Sequence, residues 1–430
     1  MKYILQFLLM IILHMPSRLM AQDTVVIQER PPQYDSLKLL YPFLNLPENR
    51  IKGDTASLNG FYRKLDRIEH GSREQAVVVH IGDSHVQPGV FSLPLREWMQ
   101  LTFGNAGRGV MFPYRLAKSN GPAGYVSRAD TPWIYGRNAT EKRPLPTGIA
   151  GFTLKSASPS ASFSIEFKAI QYDPQDTASL VIFHENRDSC FSFSVMNDLT
   201  GLVYPVLDSS MAYQTTYLLT DQPQSIRVRA AKTNETQKWA IFYGMSIETR
   251  RPGVILHTIG VNGAMYTSYL ESEHFTEQLA SLHPDLLIIS LGTNEAFGVK
   301  GYSSDTFRMG MDSLFMKIRQ SGNSSAIILT TPPGIYKGTR KKRRTSYKPN
   351  PVAATVSDVI KQYATSNGMD YWDWYTIMGG REGMAKWKAK KLTDRRYIHF
   401  SGKGYGIQGV LLREALRESY DGYKKVKKDR

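Results

Sequence analysis

Val77-Val78-Val79-His80-Ile81-Gly82-Asp83-Ser84 is the stretch on which the fold turns. Four apolar, β-branched residues in six predict a strand buried on both faces. The strand runs straight into Gly82, Asp83 and Ser84. Open α/β sheets bind their ligands beyond the C-terminal ends of parallel strands, so a serine there is placed for chemistry. Helix signals follow at once: Phe91, Leu95, Trp98 and Met99 share one face, and Pro94 suits a first turn. The alternative reading is an ordinary strand-to-helix turn, and the weight of Ser84 depends on partners further along.

Outward from this unit, the chain reads in two textures. Residues 55–69 place Leu58, Phe61, Leu65 and Ile68 at helical spacing. Beyond residue 250, apolar runs at 254–259, 285–290, 326–330 and 369–374 alternate with helical stripes such as Phe307, Met311, Leu314, Phe315 and Ile318. Alternating strands and helices predict a parallel sheet covered on both faces. Between 115 and 250 the helical periods vanish. Short alternating runs at 151–155, 161–167, 179–183, 190–195, 224–230 and 238–243 predict a β-sandwich inserted in the α/β domain.

Composition bounds the rest. The chain has 430 residues, 41% of them hydrophobic, which is enough for two or three domains with real cores. Cys190 is its one cysteine, so neither an internal disulfide nor a cysteine-rich zinc site is possible, and the nine histidines lack metal-ligand spacing. Lys2, the apolar run 4–13 and the small Ala21 before Gln22 predict a signal peptide over 1–21, and with it export to the periplasm or beyond. The apolar run is too short for a comfortable membrane span, and no other stretch reaches that length. Residues 22–53, rich in Pro, Gln and charge, read as a linker or surface arm. The net charge of +16 points to anionic envelope surfaces or wall polymers rather than nucleic acid, for which no recognition motif is present. The basic stretch 337–348 reads as a solvated loop, with contact to an anionic substrate or surface as its functional alternative; residues 421–430 read as a frayed basic tail.

An acyl-transfer site needs a nucleophile, a base and donors for a developing oxyanion. Ser84 is the candidate nucleophile. Gly263, in Gly260-Val-Asn-Gly263 after the 254–259 strand, is a candidate backbone donor, with Gly107 or Gly109 as its rival. Asn294 follows the 285–290 strand in Gly292-Thr-Asn294-Glu295, and an Asx turn is its structural alternative. His399 precedes the terminal helix and is the candidate base, while His80 reads as a core residue.

Gly-Asp-Ser84, Gly263, Asn294 and His399 resemble, in that order, blocks I, II, III and V of the SGNH (GDSL-type) hydrolases. The resemblance covers roughly 75–112 and 252–418. It implies a three-layer, flavodoxin-like α/β domain over 54–114 and 251–420, a Ser84 nucleophile with His399 as base, and an oxyanion hole made by Ser84, Gly263 and Asn294. It implies no metal or organic cofactor. One departure stands out. The family places an aspartate three residues before its histidine; here that residue is Arg396, which cannot accept the imidazole N–H. Asp394 takes the role if the loop bulges. Otherwise a Ser–His dyad operates, or activity is weak or lost. A sandwich inserted between blocks I and II, and the 378–384 stretch with Trp387, resemble the peptidoglycan O-acetylesterase branch, whose inserted module is like a carbohydrate-binding module. That implies removal of acetyl groups from a wall glycan or another acylated carbohydrate. The rivals are a degenerate, glycan-binding protein and an O-acetyltransferase using the same site. Trp133 or Tyr135 is the candidate sugar contact of the insert, with a core role as the alternative.

Overall fold

The computed structural model describes residues 32–142, 144–169, 177–298, 301–341 and 344–428, all within the compact unit Pro31–Arg430. The expected signal peptide lies outside the described residues.

The stretch 75–82 is the strand it was expected to be, and it is central. The main sheet contains β1 (Ile51–Lys52), β2 (Gln75–Gly82), β3 (Gly253–Gly260), β4 (Leu286–Ser290), β5 (Ala326–Thr330) and β6 (Asp370–Trp372), in the spatial order β1-β6-β5-β4-β2-β3. All pairings are parallel except β1 with β6. Every residue of β4 is buried, which is why it reads as an unbroken apolar run rather than an alternating one. β2 registers with both neighbours so that Gly82 sits beside Gly260 on one side and Ser290 on the other. Three strand ends therefore meet at one point on the rim of the sheet.

Between β2 and β3 the chain forms antiparallel sheets. One has seven strands, in the order 206–208, 214–219, 178–184, 240–249, 152–156 and 134–137, with 107–111 pairing on 240–249. The other has four: 125–129, 162–167, 225–231 and 192–197. Rings join the two, Phe163 and Phe193 both meeting Phe242 edge-on at 5.0 and 6.0 Å. Trp133 belongs to this core: it is buried, its indole N–H points at Ser162 O and its ring lies against Phe163. Tyr135 is on the surface.

Three expectations need correction. Residues 32–53 are not a surface arm: Leu37, Tyr41 and Leu44, spaced as a helical stripe, are buried, and β1 closes the edge of the main sheet. The basic stretch is not an irregular loop but an antiparallel hairpin, Tyr336–Lys341 with Arg344–Pro349; Lys342 and Arg343 lie outside the described residues. Nor is the tail frayed, because the last helix runs Gly402–Lys428. Tyr420 and Lys424 reach Glu69, and Lys427 pairs with Asp66, which pins that helix to Asn59–Glu69. Among the described residues no helix is long and apolar enough to cross a membrane.

Candidate active site

Ser84 stands one residue beyond β2, and the turn carrying it is held from several sides. The Asp83 carboxylate accepts the His85 N–H at 2.8 Å, while Val86 and Gln87 donate their N–H groups to the Asp83 carbonyl. Tyr269 donates its hydroxyl to Gly82 O at 2.6 Å. A side chain at Gly82 would stand 2.3 Å from Val86 and 2.9 Å from Ser290 O, so only glycine lets the turn fold back onto the sheet. Asp83 is buried, and burial pushes its carboxyl up to about 7, opposed by the His85 N–H.

His399 reaches this turn from across the sheet. Its Nε2 lies 2.9 Å from Ser84 Oγ. Behind it, Asp394 Oδ2 lies 3.6 Å from Nδ1. The loop explains how an aspartate five residues upstream reaches the ring. Tyr397 takes a left-handed φ of 60°, and Asp394 Oδ1 accepts the N–H groups of Arg396 and Ile398 at 3.0 and 3.2 Å. The loop bulges as Asp394 requires, and Arg396 contributes its backbone while its side chain stays exposed. Phe400 then plugs into Trp374, Trp387 and Tyr405, which fixes the residue after the histidine. Burial holds the His399 pKa below the usual histidine value, partly offset by the Asp394 charge.

The oxyanion candidates converge less evenly. Gly263 has a φ of 87°, is exposed, and follows β3 at the same rim. Among the described residues, neither its N–H nor that of Ser84 is spent on a hydrogen bond. Gly107 and Gly109 are not their equals. Both lie in a strand paired with 240–249, and a side chain on Gly109 would strike Leu256 O and the His257 backbone, well short of the end of β3. Their glycines serve close backbone packing. Asn294, on the first turn after β4, donates its amide to Ala264 O at 2.9 Å and to Asp83 Oδ2 at 3.2 Å.

Two other histidines lie nearby. His80 is bonded at both nitrogens, to Ser92 and Ser290 hydroxyls at 2.8 Å, and serves the core as expected. His85 is buried beneath His399, ring centres 5.4 Å apart, with its Nδ1 3.1 Å from the Tyr405 hydroxyl.

Sequence reasoning missed the residues that position the site. Gln87 accepts the Asn262 N–H at 2.6 Å and donates to Ser119 Oγ at 2.9 Å. It thereby ties the Gly263 loop to the Ser84 turn. Its spacing, three residues after the serine, was the available signal. Tyr269 gave none, because its partner lies 187 residues away. Among the described residues no cluster of His, Cys, Asp and Glu is arranged to hold a metal.

Residues 231–407 match the family described as GDSL-like lipase/acylhydrolase. That stretch contains Gly263, Asn294, Asp394 and His399 but begins after Ser84, whose strand the antiparallel region separates from the rest. A solved structure of a peptidoglycan O-acetylesterase is similar over 86% of this chain and 98% of its own, at 20% identity and a TM-score of 0.69. A lipase/acylhydrolase from Enterococcus faecalis aligns over 39% of this chain and 77% of its own (20% identity, TM-score 0.29). A carbohydrate acetylesterase from Sinorhizobium meliloti aligns over 38% and 79% (16% identity, TM-score 0.29). No curated protein sequence matches the chain. Residues 231–407 thus carry the pattern of the GDSL-like lipase/acylhydrolase family, and the chain shares its fold with the peptidoglycan O-acetylesterase structure.

Proposed function

We propose that this chain is a GDSL/SGNH-type hydrolase, an exported serine esterase that removes acetyl groups from a carbohydrate such as peptidoglycan. The carrying observation is the 2.9 Å contact between Ser84 Oγ and His399 Nε2 at the rim where three strands end. His399 Nε2 takes the proton as Ser84 Oγ attacks the ester carbonyl. The N–H groups of Ser84 and Gly263 receive the oxyanion. Asn294 joins them by exchanging its longer bond, the one to Asp83, for the substrate oxygen. Asp394 holds the ring with Nε2 toward the serine and stabilises the imidazolium. The tetrahedral adduct collapses: the C–O bond to the sugar breaks, and the sugar oxygen takes the proton from His399. Water, deprotonated by His399, then releases acetate from the acyl-serine. A sugar hydroxyl in place of water would make the same site an acetyltransferase.

The resemblance of the motifs and of the overall fold to a peptidoglycan O-acetylesterase supports acetyl and glycan as the two halves of the substrate. The basic hairpin supports an anionic polymer. Lys337 and Lys348 are exposed and sit opposite each other in register, while Tyr336 stacks on Tyr397 of the His399 loop and Tyr347 lies tilted against the same ring. A second reading, a glycan-binding protein without turnover, draws on one observation: the Asn294 amide is already engaged twice.

Hydrolysis of p-nitrophenyl acetate and butyrate by the wild type and Ser84→Ala tests the proposal, with acetylated peptidoglycan as the second substrate. Turnover that prefers acetate and disappears in Ser84→Ala is expected. A wild type that matches Ser84→Ala on both substrates overturns the esterase reading and leaves the binding one.

A further inference from the structure

We propose that Gln87 is a positioning residue of the oxyanion hole, and that it works by anchoring the Gly263 loop to the antiparallel region. This deepens, and rests on, the reading of the site as a serine esterase with Gly263 as a donor. The Gly263 N–H belongs to the peptide plane between residues 262 and 263, and a glycine tolerates rotation of that plane better than any other residue. That N–H makes no hydrogen bond of its own among the described residues, so its direction is set by its neighbours. Val261 donates its N–H to Gly82 O at 3.2 Å, and Ala264 closes the turn onto Val261 O at 2.9 Å. Between them, Asn262 donates its N–H to Gln87 Oε1 at 2.6 Å. This last bond fixes the residue whose carbonyl carbon bears the Gly263 nitrogen.

Gln87 is itself held from both sides. It is 1% exposed, and its N–H donates to Asp83 O at 3.0 Å, one turn along from the nucleophile. A side chain on Gly260 would stand 2.3 Å from Gln87 N, so glycine lets the end of β3 lie this close. A buried carboxamide is costly unless both of its ends are paired. The Gln87 oxygen takes the Asn262 N–H, and its Nε2 donates to Ser119 Oγ at 2.9 Å and to the Asn120 carbonyl. These two acceptors decide which end of the amide faces the Gly263 loop. Both lie in the segment joining strands 107–111 and 125–129 of the antiparallel sheets. Asn120 Oδ1 also accepts the Asn262 side-chain amide at 2.7 Å, so Asn262 is gripped through backbone and side chain together. The same region backs the loop twice more. A side chain on Gly151 would stand 2.5 Å from Val261, and Ala139 lies 3.7 Å from where a side chain on Gly263 would begin. The antiparallel region is thus a working part of the acyl-transfer site, reaching its donor through Gln87.

The test uses the full chain, Gln87→Met, which keeps the length of the side chain and removes its polar atoms, and the double variant Ser119→Ala with Asn120→Ala, which leaves Gln87 in place. On p-nitrophenyl acetate, kcat should fall about a hundredfold in Gln87→Met and about tenfold in the double variant, with KM within about twofold of wild type. Affinity for a methyl trifluoromethyl ketone, whose adduct on Ser84 carries the oxyanion, should fall by the same factors. A glutamine that only supported the fold would lower stability to urea and leave both quantities unmoved. Hydrogen exchange of the Val261, Asn262 and Ala264 amides, read without substrate, should quicken about tenfold in both variants. A kcat within about threefold of wild type in both, a loss confined to KM, or unchanged exchange in the double variant overturns the proposal. Should Gln87→Met fail to fold, the double variant, changed at an exposed and a half-buried residue, decides alone. Aryl acetate turnover by the wild type is measured separately. Its absence sinks the esterase reading, while the exchange rates still decide whether Gln87 and the antiparallel region hold the loop.

Discussion

Asp394→Asn isolates what the displaced aspartate does. In the transition state the His399 ring is positive and Asp394 Oδ2 lies 3.6 Å from its Nδ1. At that separation the attraction is about 1 kcal/mol in water-like surroundings and about 5 kcal/mol at an effective dielectric constant near 20. His399 and Asp394 side chains are 39% and 28% exposed, which calls for a value between these limits. About 3 kcal/mol corresponds to roughly a hundredfold in kcat/KM. Asparagine fits the same space, and its carbonyl can still accept the Arg396 and Ile398 N–H groups, so the bulge survives. The pH profile supplies a second readout. Asp394 raises the His399 pKa against the lowering effect of burial. Removing the charge therefore moves the acidic limb of kcat/KM to lower pH, as well as lowering the plateau. The assay is p-nitrophenyl acetate hydrolysis from pH 4.5 to 9. A variant within threefold of wild type, with its acidic limb unmoved, would refute the reasoning and leave a Ser–His dyad.

Three further outcomes are expected. Asn294→Ala should lower kcat on aryl acetate by ~10²–10³ with little change in KM, since its amide is asked to serve the transition state; a change confined to KM would assign it to substrate binding. Asp83→Asn should flatten the pH dependence of stability. The folded-state pKa of Asp83, about 7, lies above its ordinary 3.8, so the group's contribution is present in full below pH ~4 and is lost as pH rises through 7, on the order of 4 kcal/mol in total. Urea unfolding at pH 5 and pH 8 should show a larger drop for wild type than for Asp83→Asn, and equal drops would contradict the assignment. Lys337→Glu with Lys348→Glu should raise KM on acetylated peptidoglycan and weaken its salt dependence. An unchanged salt slope would remove the hairpin from substrate recognition.

What the sequence disclosed was local. β2 and β4 are runs of β-branched and leucine residues because both faces are covered, and such runs are legible without knowing what covers them. Ser84, Gly263 and Asn294 stood out as candidates because each follows a strand of this kind. Asp394 resisted, because counting back from His399 lands on Arg396; only a left-handed Tyr397 and two backbone hydrogen bonds bring the earlier residue to the ring. Residues 32–53 misled by composition, although Leu37, Tyr41 and Leu44 carried a helical spacing amid the prolines. The basic hairpin misled for a related reason. A crowd of like charges concealed Tyr336 and Tyr347, whose partner Tyr397 lies on another loop. The last helix is held at Glu69 and Asp66 by residues more than 350 positions away, a distance at which no local pattern operates.

The order of the strands in the main sheet has a consequence for synthesis. β2 is made early, yet its two neighbours are β3 and β4, so one of its edges stays unpaired until the ribosome has passed residue 260 and the other until it has passed residue 290. For that interval the nascent chain presents an apolar strand with open hydrogen-bonding edges, the kind of surface that invites association with other chains. The antiparallel region, whose strands pair among themselves, can gather meanwhile. The sheet is completed only when β6 arrives to pair with β1, and His399 follows later still. A truncated product that contains Ser84 but lacks residue 399 carries the proposed nucleophile without its proposed base. Under the proposed mechanism, a chain that stalls between these two residues lacks the Ser84–His399 pair, which is complete only once residue 399 has been added.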